Sequence, residues 1–383
     1  MQKIRYRKRR LWVCVLAIVC ILAGSGDVSA KEIQTDANTF SLMMVGDNLL
    51  HKPVSESGRR KNGKYNYDSL FIHIKDEAES ADAAMINQEV VLGGAKLGIS
   101  GYPSFNGRYE VGDAIAKAGF NVVLHATNHS LDKGVAGIKN CLKFWRKKHP
   151  DIKVTGMNES AKAQNKITYI KKKGICVAIL NYTYGTNGIR MPESMPYAVN
   201  MLTKKKVARD VRKAKKKADF IVVCPHWGTE YNTGIDASQK RWAKYFLKIG
   251  VDLVIGTHPH VIEPVKWMKG KGGRKMLVYY SLGNFVNSTS RRGAGVARQF
   301  YGGMAKVNLR RNADGKVVIS KAKFVPLITH KKANGKITTY KVADYTKKMA
   351  AKNRISRCDS GFSFKRMKAF FRKIVGKRFL EEK

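Results

Sequence analysis

Three features of the chain converge on a layered α/β fold. Short apolar, β-branched runs alternate with stretches of helical character from Phe40 to Tyr280, the order that builds a sheet covered by helices. Most of these runs stop at a polar cluster: Gly46-Asp47, Asn87-Gln88-Glu89, Ala126-Thr127-Asn128-His129, His226-Trp227-Gly228, Gly256-Thr257-His258-Pro259-His260 and Ser281-Leu282-Gly283-Asn284-Phe285. The carboxyl ends of strands are where α/β sheets place ligands. From about Gly303 the pattern turns to hairpins, with Asp314-Gly315 and Asn334-Gly335 as strong turn signals.

In chain order, the apolar runs predict strands over Phe40 to Val45, Ala83 to Ile86, Asn121 to Leu124, Ile175 to Asn181, Phe220 to Cys224, Leu253 to Ile255 and Met276 to Tyr280. Between them the spacing predicts helices over Leu70 to Ser80, Val111 to Ala118, Gly134 to Lys147, Val207 to Lys217 and Ser238 to Ile249. The hairpin strands are Ala305 to Leu309, Val317 to Leu327 and Ile337 to Val342, expected to extend or flank the main sheet. The resulting organisation is an N-terminal segment 1–30, a domain 40–302, its hairpin extension 303–344 and a basic tail 345–383 with scattered aromatics, read as helical or partly disordered.

A length of 383 residues with 44% hydrophobic content builds a full-sized core. The formal net charge of +45, from 73 Lys and Arg against 28 Asp and Glu, favours polyanionic partners. Nucleic acid is the first suspect on charge alone. The N-terminus argues against it: Met1 to Arg10 is dense in Lys and Arg and leads into the apolar run Leu11 to Ala23, with a small-residue cleavage site at Val28-Ser29-Ala30. This is an export signal. Cleaved, or kept as an anchor, it puts the body of the chain outside the cytoplasm, in the cell envelope, so no nucleic-acid partner is expected. Beyond the signal, Cys141, Cys176, Cys224 and Cys358 form no CxxC pair, and buried free thiols are the expectation.

The polar clusters carry the chemistry. Asp47, Glu89, Asn128, His226, His258 and His260 offer carboxylate, amide and imidazole groups at successive strand ends, the donor set of a divalent metal site. His129 stands beside Asn128, with Asp132 three residues on, placed either to orient it or to cap a helix. Trp227, Glu230 and Tyr231 follow His226 and either line a substrate groove or pack as a loop. Ser281 to Phe285 lacks the Gly-x-Ser-x-Gly elbow of a serine nucleophile, so a tight turn at Gly283 with Asn284 at the site edge is expected. Of the other histidines only His51, close behind Asp47, is expected near the site.

Taken in order, these motifs over roughly Phe40 to Val286 resemble the CapA/PgsA capsule-synthesis family, with Ala126-Thr127-Asn128-His129-Ser130-Leu131-Asp132 and His226-Trp227-Gly228-Thr229-Glu230-Tyr231 among the most specific. That family is in turn similar to calcineurin-like metallophosphoesterases, which implies a sandwich of two mixed sheets flanked by helices with metals at the strand ends. The resemblance implies that Asp47, Glu89, Asn128, His226, His258 and His260 hold one or two divalent ions (manganese, zinc, iron or magnesium), with His129 as general acid. Two departures stand out. The usual Asp-x-His opening reads Asp47-Asn48-Leu49 with His51 displaced, and Glu89 takes the place of the bridging carboxylate.

Two functions follow from the resemblance. One is an envelope hydrolase acting on poly-γ-glutamate, a related polymer or a precursor. The other is a non-catalytic, polyanion-binding accessory of a membrane polymer-synthesis complex. The altered Asp-x-His opening favours the second, and retention of His129 with His226, His258 and His260 favours the first.

Overall fold

A computed structural model describes residues 38–381, so the predicted export signal lies outside the described residues. Thirteen strands are formed among the described residues. They are β1 (Phe40–Asp47), β2 (Ala83–Asn87), β3 (Val122–Leu124), β4 (Lys153–Thr155), β5 (Thr168–Lys172), β6 (Ile175–Thr183), β7 (Phe220–His226), β8 (Leu253–Ile255), β9 (Val265–Lys269), β10 (Lys275–Tyr279), β11 (Tyr301–Arg311), β12 (Val317–Lys331) and β13 (Ile337–Lys341). They make two sheets, in the orders β13-β12-β11-β1-β2-β3-β4 and β5-β6-β7-β8-β10-β9. Both sheets are mixed: in the first, β1 to β4 run parallel out to the β4 margin with β11 antiparallel to β1, and in the second, β6, β7, β8 and β10 run parallel with antiparallel margins β5 and β9. The fold is the expected sandwich of two mixed sheets flanked by helices.

The strands alternate faces, so their apolar runs bury both sides. Phe40, Leu42 and Met44 of β1 meet Phe220, Val222 and Cys224 of β7 in the layer between the sheets. Met43 and Val45 point the other way, beneath Val111 and Ile115 of helix Tyr109–Lys117 and Ile138 and Trp145 of helix Gly134–Lys148. On the far face, Ile221 and Val223 pack with Val207 and Val211 of helix Lys204–Ala214 and with Phe246 of helix Ala237–Ile249. The last helix starts at a capping box in which Asp236 and Gln239 satisfy each other's backbone donors, and stops at Gly250, whose φ of 94° suits a residue without Cβ.

Three strands lie outside the sequence prediction. Both β4 and β5 are margin strands, and Thr168 to Lys172 reads as half polar because its far side faces water. Strand β9 is likewise a margin strand, antiparallel to β10. The hairpins extend the first sheet: β11 docks on the free edge of β1, and the turns close at Gly315 and Gly335, both at positive φ. The four cysteines are free, with Cys141 and Cys224 buried and Cys176 and Cys358 half-buried. None of the helices among the described residues is long and apolar enough to cross a membrane.

Residues 345–381 fold back onto the body. Met367, Phe371 and Val375 share one side of helix Phe364–Val375 and join the layer that contains Tyr301 and Phe324. The chain end also pairs with β12, through Phe324 N–H to the Phe379 carbonyl at 2.8 Å and Glu381 N–H to the Phe324 carbonyl at 2.9 Å. The aromatics scattered through this basic segment are thus in part core residues. Phe371 is 1% exposed, so Phe371→Ala is expected to lower stability by about 3–5 kcal/mol. Urea unfolding of the variant checks this, and a loss under about 1 kcal/mol would show that the C-terminal helix is not part of the cooperative unit.

Candidate metal centre

The site forms where the parallel strands of both sheets end. Asp47 is the last residue of β1, Asn87 the last of β2 and His226 the last of β7. Glu89, Asn128 and His129 follow β2 and β3 by a few residues, and His258 and His260 follow β8. The segment Ser281–Phe285 leaves β10 and crosses to the first sheet, bridging Asp47 through Asn284 and β11 through Gly283. At that crossing a Cβ on Gly46 would overlap the Gly283 carbonyl, and one on Gly256 would overlap the Tyr280 carbonyl. Glycine at Gly46 lets the two sheets' segments meet, and glycine at Gly256 lets the ends of β8 and β10 close on each other within the second sheet.

All six residues predicted as ligands are brought together and buried. Asp47 accepts from the Asn87 side-chain amide at 2.7 Å and from the His258 backbone N–H at 3.0 Å. Nδ1 of His226 lies 3.0 Å from Thr257 Oγ1, while Nε2 lies 2.8 Å from Asn128 Oδ1 and 3.8 Å from Glu89 Oε1. Nδ1 of His260 lies 3.1 Å from Asn284 Oδ1, and its Nε2 lies 3.5 Å from the same Glu89 oxygen. Donor atoms of Glu89, His226 and His258 lie within 4.8 Å of one another, and so do those of Asp47, Glu89 and His260. Glu89 is common to both sets.

The residues present fit a divalent ion. Both carboxylate oxygens of Glu89, and Nδ1 of His258, are buried without a hydrogen-bond partner, a costly state for polar atoms unless another ligand takes them. Burial pushes the Glu89 carboxyl well above its usual range, with His260 opposing and Asp47 reinforcing the shift. Burial would also lower His260, but Glu89 and Asp47 outweigh it and hold this imidazole up at about 10. Burial and the neighbouring imidazoles push His226 and His258 well below their ordinary value, so both are neutral, the form that binds metal. His258 and His260 adopt φ values of 100° and 57°, a strained region for residues other than glycine, of the kind that clusters at functional sites.

Beside this centre, His129 Nδ1 lies 2.7 Å from Asp132, whose same oxygen accepts the Phe105 N–H at 2.7 Å. Asp132 therefore orients the ring; the residues that follow it, Lys133 at the cap and Gly134 onward, begin the next helix without a side-chain cap. His51 packs edge-on against Phe105, which in turn packs against His129, and burial followed by His260 and His129 lowers His51 to about 4.

Two of the predicted substrate contacts are placed differently. Trp227 does not line a groove: its ring packs with Phe246 and Tyr280, and its indole N–H donates to the Tyr280 carbonyl at 2.9 Å, because the residue after a strand-end ligand points to the opposite, helix-covered face. Asn284 is buried and holds His260, donating to the carbonyls of His260 and Gln299. Glu230 and Tyr231 do reach the mouth, where Tyr231 is 41% exposed with its ring 6.1 Å from His260 and the Arg291 guanidinium 5.0 Å above it. Two mouth residues went unnoticed in the sequence. Tyr184, 48% exposed, lies 4.6 Å from the His258 ring, and Asn187 bonds both Asn128 and His129. Neither belongs to a recognisable motif; the run Ile175 to Asn181 ending just before them was the available signal.

The model of a family described as Bacterial capsule synthesis protein PGA_cap matches residues 41–289. The PGA biosynthesis protein CapA of Bacillus subtilis is 27% identical over 80% of this chain and 77% of its own length. The capsule biosynthesis protein CapA of Bacillus anthracis is 30% identical over 72% of this chain and 66% of its own length. Among solved structures, the NAD nucleotidase of Haemophilus influenzae superposes with a TM-score of 0.47 at 12% identity, over 88% of this chain and 67% of that one.

The loops of the centre are braced by a second buried acid. Glu263 accepts from the Gln239 side chain at 2.6 Å, and its other oxygen is buried without a partner. Burial, eased by Gln239, raises its carboxyl from 4.5 to about 9. The folded state therefore holds a proton that the unfolded chain releases above about pH 4.5, so this group's contribution is fully present below that value and is lost progressively as pH rises towards about 9. The Glu263→Gln variant carries no such proton. Its melting temperature is expected to exceed the wild type's by a margin that widens across this window, and a margin independent of pH in parallel thermal melts would refute the assignment.

Proposed function

The chain belongs to the bacterial capsule synthesis family, and from that membership we propose that it is an extracytoplasmic, metal-dependent hydrolase acting on an envelope polymer or its precursor. Poly-γ-glutamate, a dense polycarboxylate, is the polymer whose chemistry suits a chain of net charge +45. The observation that carries the hydrolase reading is the unpartnered, buried Glu89 carboxylate at the common point of the Asp47–His260 and His226–His258 groups.

In this reading Asp47, Glu89, Asn128, His226, His258 and His260 hold one or two divalent ions. A bound ion would lower the pKa of a water molecule and polarise the scissile group. The chain's own residues do the rest. Thr257 and Asn284 fix the rings of His226 and His260 through their Nδ1 atoms, which turns each Nε2 towards Glu89. Asp132 binds Nδ1 of His129 and leaves Nε2 to carry the proton given to the leaving group. Tyr184 and Tyr231 flank the mouth through which a polymer strand would enter.

One observation favours the accessory reading instead. Leu49 stands where the resemblance places a histidine ligand; it is 4% exposed and packs in an apolar cluster, so it offers no donor. The two readings separate in one experiment on purified protein, combining elemental analysis with hydrolysis assays on phosphoester and γ-glutamyl substrates. The hydrolase reading expects His129→Ala to lower kcat by about 10²–10⁴-fold with metal content unchanged, and His258→Ala to lose metal and activity together. Stoichiometric metal without turnover on either substrate class would establish the accessory role.

A further inference from the structure

We infer that Glu230 is itself a metal ligand, joining the centre through the face that His258 and His260 share. The inference rests on the metal-centre reading above. Of the two donor groups built around Glu89, the one with His226 and His258 gains a further donor in Asn128, whose Oδ1 lies 2.8 Å from His226 Nε2. The group of Asp47, Glu89 and His260 has three side chains. Beyond Asp47 the β1 side adds no imidazole, because Leu49, where the resemblance places a histidine, is turned into the core.

Glu230 comes from the loop after β7. Its carboxylate, with His258 and His260, forms a third group of donor atoms within 4.8 Å of one another. His51, the other imidazole near the centre, belongs to none of the donor groups found among the described residues and packs instead on Phe105.

The backbone is built to aim this side chain. Gly228 at φ 92° and Tyr231 at φ 63° turn the loop after β7 back over the site, and Tyr231 is held there in a strained conformation. Tyr231 N–H donates to the Pro259 carbonyl at 2.7 Å, stapling the loop to the residue between the two histidines. On its other side Thr229 Oγ1 bonds Asp236, the helix cap, at 2.9 Å. Glu230 is thus fixed between two tethers, one of them to the His258–His260 segment itself. A carboxylate that only coated the surface would require neither the strained residue nor the staple.

Metal-stripped full-length protein titrated with Mn²⁺ by calorimetry tests this, with elemental analysis after dialysis as a second readout. Wild type is expected to take two equivalents. Glu230→Gln is expected to keep one and to bind the other at least about tenfold more weakly, while His51→Ala matches wild type. Equal melting curves of Glu230→Gln and wild type in chelator exclude misfolding as the cause. Unchanged stoichiometry and affinity in Glu230→Gln, whether wild type holds two ions or one, would overturn the role of Glu230 and leave the metal centre standing. A wild type that binds no Mn²⁺ would overturn both.

Discussion

The backbone of β1 at Gly46 passes the Gly283 carbonyl so closely that any side chain would collide with it, and the site depends on this contact. Asp47 N–H donates to the Gly283 carbonyl at 2.9 Å and Phe285 N–H returns to the Asp47 carbonyl at 2.7 Å, so the segment after β10 is sewn to the end of β1. A strand of one sheet thereby continues into the edge of the other. The sandwich could otherwise slide by a residue, but here the two sets of strand ends are fixed in register. Asp47 then reaches across the seam to the His258 backbone at 3.0 Å. Ligands from β1, β2 and β3 meet ligands from β7 and β8 because the seam leaves them no other arrangement.

Such closeness has energetic consequences. Two carboxylates and three imidazoles share a space from which water is largely excluded, and Glu89 has no hydrogen-bond donor within it. Buried charge without a partner is among the costlier features a fold can carry, and positive φ at His258 and His260 adds strain. The offset comes from the surroundings: three apolar layers, the capping box of the helix behind His226 and the C-terminal helix locked by Phe371. A scaffold of this size can hold a locally unfavourable cluster without unfolding, and the cluster becomes favourable when a cation enters it.

Much of this was legible in the sequence because the chemistry lies at the ends of apolar runs. Strands doubly buried in the sandwich read as unbroken hydrophobic stretches, and five of them stopped two to four residues before a predicted ligand, as at Val45 before Asp47 and Cys224 before His226. Margin strands were illegible for the converse reason: Lys153–Thr155 and Thr168–Lys172 are short and half-solvated, so neither length nor hydropathy marks them. Side-chain direction was the other blind spot. Trp227 adjoins a ligand in sequence, yet the alternation of faces along a strand sends it into the helix-covered layer. Asn284 lies at the site, but the crossing of its segment between sheets turns it towards His260 and away from the mouth. Tyr184 and Asn187 belong to a loop whose path is set by the second sheet, and no local pattern announces it.

The charge of the chain and the charge of the centre act at different ranges. Lysine and arginine spread over the surface produce a field that attracts a polyanion, but at physiological salt that field fades within about 8 Å, too diffuse to select one bond among identical repeats. Selection has to come from groups that act at contact. Those at the mouth are of a different character: Tyr184 and Tyr231 present ring faces, with Arg291 stacked on the second. Behind them the buried centre carries carboxylates that would repel an anionic strand until their charge is neutralised. A divalent ion reverses that sign locally. In the proposed reaction an ion held by Asp47, Glu89 and His260 would neutralise these carboxylates, so that Tyr184, Tyr231 and Arg291 could meet an anionic strand at the seam between the sheets.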